Sequence, residues 1–537
     1  MRTHRPAALI LTLAAACHAQ TVGPERVVAQ GGNSLSHQEC VVAVNPFDSH
    51  EAVVAWQTID RSGLTPTRIH YATTFDGATF PTTAMLPLAP GPVPATVTFD
   101  PVIAASHQTG DIWVGGAENN DQRIFVGRKD AGASTIQATD VFAVTPTQSG
   151  FARDKPWLAI GPRPDGTAET MYASFAIPFA ITLWTARCSD AAPLGTAWNA
   201  PVQVMAPGPI GPIATATAVV RHGIRSGRLV LTQSDNESHP QWMQTDDGGI
   251  TWSNALPIVE HSTGQIRDLV GVGSNIVPYG MRARTFPSMA VDPNDSSIVY
   301  IIFSARDAGA GNASNVDLFV AYSENGGETF PPQQVFRLTD RQLAIEGSPD
   351  VEADQLIPAI AIDGEGGINI LFIHTTSPDG PNTPTPPAQR TLANVYYARF
   401  TDRTQLAATP FIDDLTPGGF EVSPIVNGSG LSIGFNLNEY MMLDAVGCTV
   451  YAVYCRTEIP PVTGDRLGTV CFRRISVTDG CMADSDGDGA ITANDPPAFM
   501  NAYAAGAPRA DMNLDGTVNA QDGVAFLSAY AAASGTP

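Results

Sequence analysis

The sequence predicts an all-β fold, a β-propeller of seven blades or alternatively six, followed by a small α-helical domain built on calcium loops. Three observations predict it. A short apolar run containing Ala recurs about seven times between residues 25 and 478. Turns and second strands follow most of these runs, and long helical periodicity is absent there. An acidic loop with the spacing of a calcium site is written twice near the C-terminus.

The first element is residues 1–19. Arg2 and Arg5 precede an apolar run from Ala7 to Ala16, and Cys17-His18-Ala19 ends it. This is the pattern of a secretory signal peptide, too short to stay as a membrane span. Cleavage after Ala19 is expected, with a lipoprotein anchor at Cys17 as the alternative. The protein is therefore expected to be secreted, outside the cell or at its surface. No later stretch is long and apolar enough for a transmembrane helix.

Six cysteines follow Cys17: Cys40, Cys188, Cys448, Cys455, Cys471 and Cys481. An even number in an exported chain permits disulfides without fixing their pairing. Cys455 and Cys471 flank the turn-rich stretch Pro460 to Asp465, so a hairpin could set them face to face. Cys448 and Cys455 on one extended strand would stand too far apart. No close pair has the spacing of a metal site. The formal charge is −23, and −25 once Arg2 and Arg5 leave with the leader. That sign disfavours nucleic acid and anionic membranes as partners. Part of the acid excess belongs to the two loops.

The propeller is expected over residues 25–478. Its runs are Val41 to Pro46, Pro101 to Ala104, Pro156 to Ile160, Pro287 to Pro293 and Pro358 to Asp363, with weaker members near Ala214 and Met441. Second strands follow, such as Ala52 to Trp56 and Ile368 to Phe372, and third strands such as Leu318 to Tyr322. Small antiparallel sheets repeated every 55 to 85 residues, roughly, form propellers. The third strands end in a shared turn. Thr245 to Trp252 has the pattern Ser/Thr-x-Asp-x-Gly-x-Thr-Trp; Ser323 to Phe330 is a second copy and Thr73 to Phe80 a degraded third. In each, Asp or Asn caps the turn, Gly takes the positive φ and the aromatic packs between sheets.

These boxes, with the Ala-containing repeats, resemble the sialidase-like (BNR-repeat, Asp-box) propellers. The resemblance implies a six-bladed glycoside hydrolase with an arginine triad, a Tyr nucleophile with a Glu partner, and an acid/base Asp. It treats the box as a structural turn far from the chemistry. The Phe/Tyr-Arg-Ile-Pro segment that carries the first arginine of the family is missing. Its nearest counterpart, Arg284-Thr285-Phe286-Pro287, lies mid-chain in the wrong order. Arg153, Arg267, Arg282 and Arg306 are the other arginines to consider.

A second constellation follows from the repeats. If each Ala-containing strand is the innermost of its blade, the residues just before it ring one mouth of the central channel. Those are Glu39, Asp100, Asp154 with Lys155, Asp354 with Gln355, and Glu439 with Tyr440. Lys155 is one of two lysines, beside Lys129. Paired carboxylates in a cleft can do acid/base work or hold a cation. Glu439, Tyr440 and Asp154 are the catalytic candidates; Glu39, Asp100, Lys155, Asp354 and Gln355 are channel-mouth candidates. The bland alternative is that these side chains cap strands and bond the backbone of the next blade.

The tail, residues 480–537, carries the duplicated loops. Calcium ligands are expected at Asp484, Asp486, Asp488, Ala490, Thr492 and Asp495, and again at Asp511, Asn513, Asp515, Thr517, Asn519 and Asp522. Gly489 and Gly516 supply the sharp turn at position six of the loop. Phe499 recurs as Phe526 and Tyr503 as Tyr530. Each loop runs into an Ala-rich helix that Asp495 or Asp522 can cap, with Pro496 in a first turn. The unit is loop-then-helix, and it resembles the dockerin module, which implies two Ca2+ ions and a cohesin-like partner. Ala493-Asn494 and Ala520-Gln521 stand where that family often places the hydroxyl pairs that meet cohesin. A cell-envelope partner, or loops that only fold a small domain, therefore stay open.

Together these readings describe a secreted carbohydrate-directed protein. One version is a sialidase-like glycoside hydrolase that acts on O-glycosyl bonds in glycan or polysaccharide breakdown and is tethered by its calcium-dependent tail. The alternative is a non-catalytic propeller that binds a glycan or protein at the cell surface, or a purely structural disc.

Overall fold

The computed structural model describes residues 20–534 apart from several connections, the longest at 268–286 and 377–390. Among the described residues the strands assemble into seven sheets of four or five strands and one two-stranded sheet. Blade 1 runs outward through Leu35–Asn45, Asp48–Asp60, Arg68–Thr74 and Thr82–Met85. Blades 2 to 6 repeat the order, with inner strands Thr98–Ala105, Asp154–Pro162, Ala214–Val219, Ser288–Val291 and Asp354–Ile362. Blade 7 takes Met442–Val446, Thr449–Glu458 and Leu467–Ser476 from the far end of the propeller. Thr21–Val22 and Arg26–Ala29 pair antiparallel with its third strand and close the ring. The propeller therefore has seven blades, and the alternative of six does not hold, because every apolar run has hydrogen-bonded neighbours of its own.

Every inner strand lines the central channel with alanine: Ala43, Ala104 with Ala105, Ala159, Ala218, Ala290, Ala361 and Ala445. Small side chains let seven twisted sheets converge at an axis without collision. The apolar residues on either side of each sheet fill the spaces between blades, as where Val53, Tyr71 and Ile103 share one cluster across blades 1 and 2.

The three box turns fold alike. Asp247 Oδ1 accepts from the Ile250 and Thr251 amides at 2.9 Å each, and Asp247 Oδ2 accepts from Thr251 Oγ1 at 2.6 Å. Asn325 and Asp76 accept from the equivalent Thr329 and Thr79 amides at 2.9 and 2.7 Å. Gly248 and Gly249 take the positive φ values that the turn needs. Each aromatic reaches back to the preceding blade: Phe330 meets Trp242 at a tilt, Phe80 meets Phe472 edge to face, and Trp252 packs with Tyr172. The boxes end third strands, so they lie on the face opposite the starts of the inner strands.

The tail contributes two helices, Asp495–Ala504 and Ala520–Ser534. The rings of Phe499 and Phe526 stack 4.2 Å apart at its centre, so the duplication meets itself in the core. None of the described helices is long and apolar enough to cross a membrane. Residues 1–19 lie outside the described residues.

Cys455 and Cys471 do not face each other. Cys471 lies opposite Tyr454 in the ladder, and Cys455 lies opposite Val470. This one-residue offset turns the two thiols to opposite faces of blade 7. Cys448 is disulfide-bonded.

Replacing Asp247 by Ala removes several hydrogen bonds to one turn, each worth roughly 1 kcal/mol net. Urea denaturation is expected to show a loss of about 2 kcal/mol, without any effect on ligands bound at the opposite face.

Candidate functional site at the channel mouth

The inner strands of blades 1, 2, 3 and 6 each start with the same irregularity. The ladder slips between Gln38 and Val41, Phe99 and Val102, Asp154 and Trp157, and Leu356 and Ala359. Within each slip one residue holds a left-handed backbone: Glu39 at φ 56°, Asp100 at 52°, Lys155 at 46° and Ile357 at 54°. A side chain other than Gly pays about 1–3 kcal/mol for such a conformation. Bulges re-aim side chains where strands enter a sheet. In blade 6 the residue is a buried Ile, so the bulge itself belongs to the scaffold. In blades 1 to 3 the same position carries an acid, an acid and a lysine.

Those three meet. Lys155 Nζ donates to Asp100 Oδ1 at 2.7 Å and to Glu39 Oε1 at 3.1 Å, and all three side chains are buried. Asp100 Oδ2 also accepts from the Lys155 amide at 3.1 Å, and the Asp100 amide donates to Gln57 Oε1 at 3.0 Å. Tyr440 places its ring 5.7 Å from the Lys155 ammonium, a cation–π contact. Its hydroxyl donates to the Pro101 carbonyl at 3.1 Å. Asp154 is half-buried beside them; its Oδ1 accepts from the Lys155 amide at 3.0 Å. Burial pushes the Asp100 carboxyl up, but the Lys155 ammonium and hydrogen bonds from Asp154 and Lys155 outweigh it and hold the group below its ordinary value.

This cluster borders an open cleft of about 410 Å³, whose lining adds Gln38, Gln57, Thr67 and Phe99 to the charged residues. Below it the channel narrows to a throat of about 20 Å³ between Pro156, Pro287, Pro358 and Met441. Beyond the throat lies the alanine-lined funnel of about 340 Å³. The Glu39–Asp100–Lys155 cluster thus sits at one mouth of the channel, while Arg221 and Asp444 line the funnel on the far side of the throat.

Of the residues picked from sequence, Glu39, Asp100, Asp154, Lys155 and Tyr440 come together. Asp354 and Gln355 do not join them. Asp354 Oδ1 accepts from the Val316 amide at 3.0 Å and Gln355 Oε1 from the Leu318 amide at 3.3 Å. Both are buried and bond the backbone of the neighbouring blade. Glu439 lies outside the described residues, as do Arg282 and Arg284. Arg153 is buried over the Phe175 ring at 5.6 Å, and burial lowers its guanidinium to about 10. Gln57 was not singled out from sequence; nothing in its strand marks it.

In the tail, carboxylate oxygens of Asp484, Asp486 and Asp495 lie within 4.8 Å of one another. Asp495 accepts from the Ser485 and Thr492 amides at 2.7 and 2.6 Å. Asp522 accepts from the equivalent Met512 and Asn519 amides at 2.8 and 2.7 Å. Asp488, Ala490, Asn513 and Asp515 lie outside the described residues.

Removing the lysine tests the cluster. Lys155→Met leaves Glu39 and Asp100 buried around an apolar chain, at a cost of about 3–5 kcal/mol. Chemical denaturation should show that loss, and adding Glu39→Gln and Asp100→Asn should restore a large part of it.

No family model and no curated protein matches the chain. Solved structures do. An α-L-arabinofuranosidase from Fusarium graminearum aligns over 70% of this chain and 92% of its own, at 12% identity and a TM-score of 0.39. A Trypanosoma rangeli sialidase aligns over 84% and 60%, at 11% identity and 0.34. The Dos1 propeller aligns over 85% and 96%, at 9% identity and 0.39. The seven sheets of the chain itself define it as a β-propeller.

Proposed function

We propose that the protein is a secreted carbohydrate-directed propeller whose channel-mouth cleft binds a glycan, with Asp154 and Asp100 as an acid–carboxylate pair for cleaving an O-glycosyl bond. The observation that carries this is the pairing itself. Asp100 is buried and held toward its ionised form by Lys155, and half-buried Asp154 hydrogen-bonds it at the edge of an open cleft. Two carboxyls in unlike surroundings are what glycoside hydrolysis needs: one to give a proton to the leaving oxygen and one to stay anionic. Glu39 lies against the same ammonium and is the third carboxyl within reach. Three carboxyls against one ammonium favour a neutral sugar over a sialic or uronic acid.

The second reading, binding without turnover, is favoured by how fully Lys155 ties Glu39 and Asp100 together. A panel of neutral and acidic polysaccharides separates the two. Turnover of a neutral glycan that falls about 10²- to 10⁴-fold in Asp154→Asn, with binding retained, supports hydrolysis. Saturable binding with no turnover by the wild type supports the binding reading. Neither turnover nor binding on the panel would leave the cluster as a blade-locking device.

The tail in this proposal takes Ca2+ and docks the protein to a cohesin-like or cell-envelope partner. The donor set fits a hard cation, because three converging carboxylates, two of them buried, repel one another without one. Docking is supported by Met500 and Leu527, equivalent positions in the two repeats, which are 59% and 66% exposed. Calorimetry with and without chelator is the test. A low transition that vanishes on chelation and in Asp495→Asn, with the propeller transition unmoved, is expected; identical traces would reject both loops as calcium sites.

A further inference from the structure

The joint where the ring closes holds two cysteines. Cys40 follows the bulge residue Glu39 in the inner strand of blade 1, and Cys455 lies in the second strand of blade 7. They are 415 residues apart along the chain, yet their sulfurs are 3.6 Å apart and both side chains are fully buried. Both belong to one apolar cluster, with Val42, Trp56, Tyr451 and Phe472, shared between the two blades.

We propose that Cys40 and Cys455 form a disulfide as the chain folds, a covalent latch across the seam between blade 7 and blade 1. The two sulfurs need only close from 3.6 Å to the roughly 2 Å of a bonded pair. Each thiol loses one proton and one electron, and the sulfurs join. The electrons and protons go to a disulfide-carrying thiol oxidase or a small-molecule disulfide, which leaves as two thiols. Cys448 is disulfide-bonded, so the same chemistry is built into another part of the fold. Cys471 does not compete, because it projects into the cluster on the other face of its sheet. Burial, with Cys455 alongside, pushes the Cys40 thiol well up, which suppresses the reactive thiolate in the closed ring. Once formed, the disulfide fixes the strand that carries Glu39, so the seam and the channel-mouth site are held by one linkage.

Full-length protein exported through an oxidising compartment and purified without reductant is the sample. It is denatured, alkylated, digested and read by mass spectrometry. The expected result is a Cys40–Cys455 cross-linked peptide that disappears on reduction. Cys455→Ala should lower the thermal midpoint by several degrees in non-reducing buffer, a difference that reductant during refolding removes; Cys188→Ala should not show that dependence. Alkylation of both Cys40 and Cys455 in the unreduced wild type overturns the proposal, as does either one linked to a different cysteine. The wild-type peptide map decides this even if the variant fails to fold.

Discussion

Seven sheets can close into a ring only if their innermost strands come close to the axis, and the rest of the structure follows from that approach. Alanine at the closest point of every blade makes room for it. Counting back four residues from Ala43, Ala104, Ala159 and Ala361 reaches the four left-handed bulge residues. The strand thus enters the blade by a slip in register and then straightens into the channel wall. In blades 1 to 3 the slip puts the side chain of the bulge residue at the channel mouth, whereas in blade 6 Ile357 is buried in the core between blades. Those three successive blades use the slip to bring one ammonium and two carboxylates within hydrogen-bonding distance.

This geometry explains what the sequence revealed and what it hid. The inner strands were legible because each needs a short apolar run with Ala at the axis, a local pattern. The boxes were legible because a single Asp or Asn organises each turn through its own neighbours. Glu39, Asp100 and Lys155 were legible as residues just before those runs. Asp354 and Gln355 misled because nearness to the run is a looser rule than register. The bulge position of blade 6 is Ile357, and the two polar residues precede it, where a side chain meets the next blade. A stricter count back from the alanine would have named Ile357. The cysteines were hidden for the same kind of reason: Cys455 and Cys471 flank one turn, but their pairing offset puts them on opposite faces. Cys40 and Cys455 meet only because the first and last blades do, a contact with no local signature.

The two lysines supply a control for the meaning of the cluster. Buried ion pairs are seldom worth their desolvation, so their presence calls for a reason beyond stability. Lys129 is fully buried and pairs with Glu51 on the opposite face of the disc, beneath the Phe75 ring. Glu51 also accepts from Asn45 Nδ2 at 2.7 Å and from the Gly132 amide at 2.9 Å, so that pair is closed within the protein. Its bonds tie blade 1 to blade 2, and neither Lys129 nor Glu51 lines the channel, its throat or the cleft. Lys155 makes the same kind of pair, but its carboxylates line an open cleft, with Asp154 at the edge and polar Gln38, Gln57 and Thr67 around it. The chemistry of the two lysines is alike and their access to solvent differs. An ion pair that only locked blades together would need no cleft beside it, as Lys129 demonstrates. The open side of the Lys155 cluster is therefore the part that the locking role does not explain, and it is the side on which the proposed glycan binding rests.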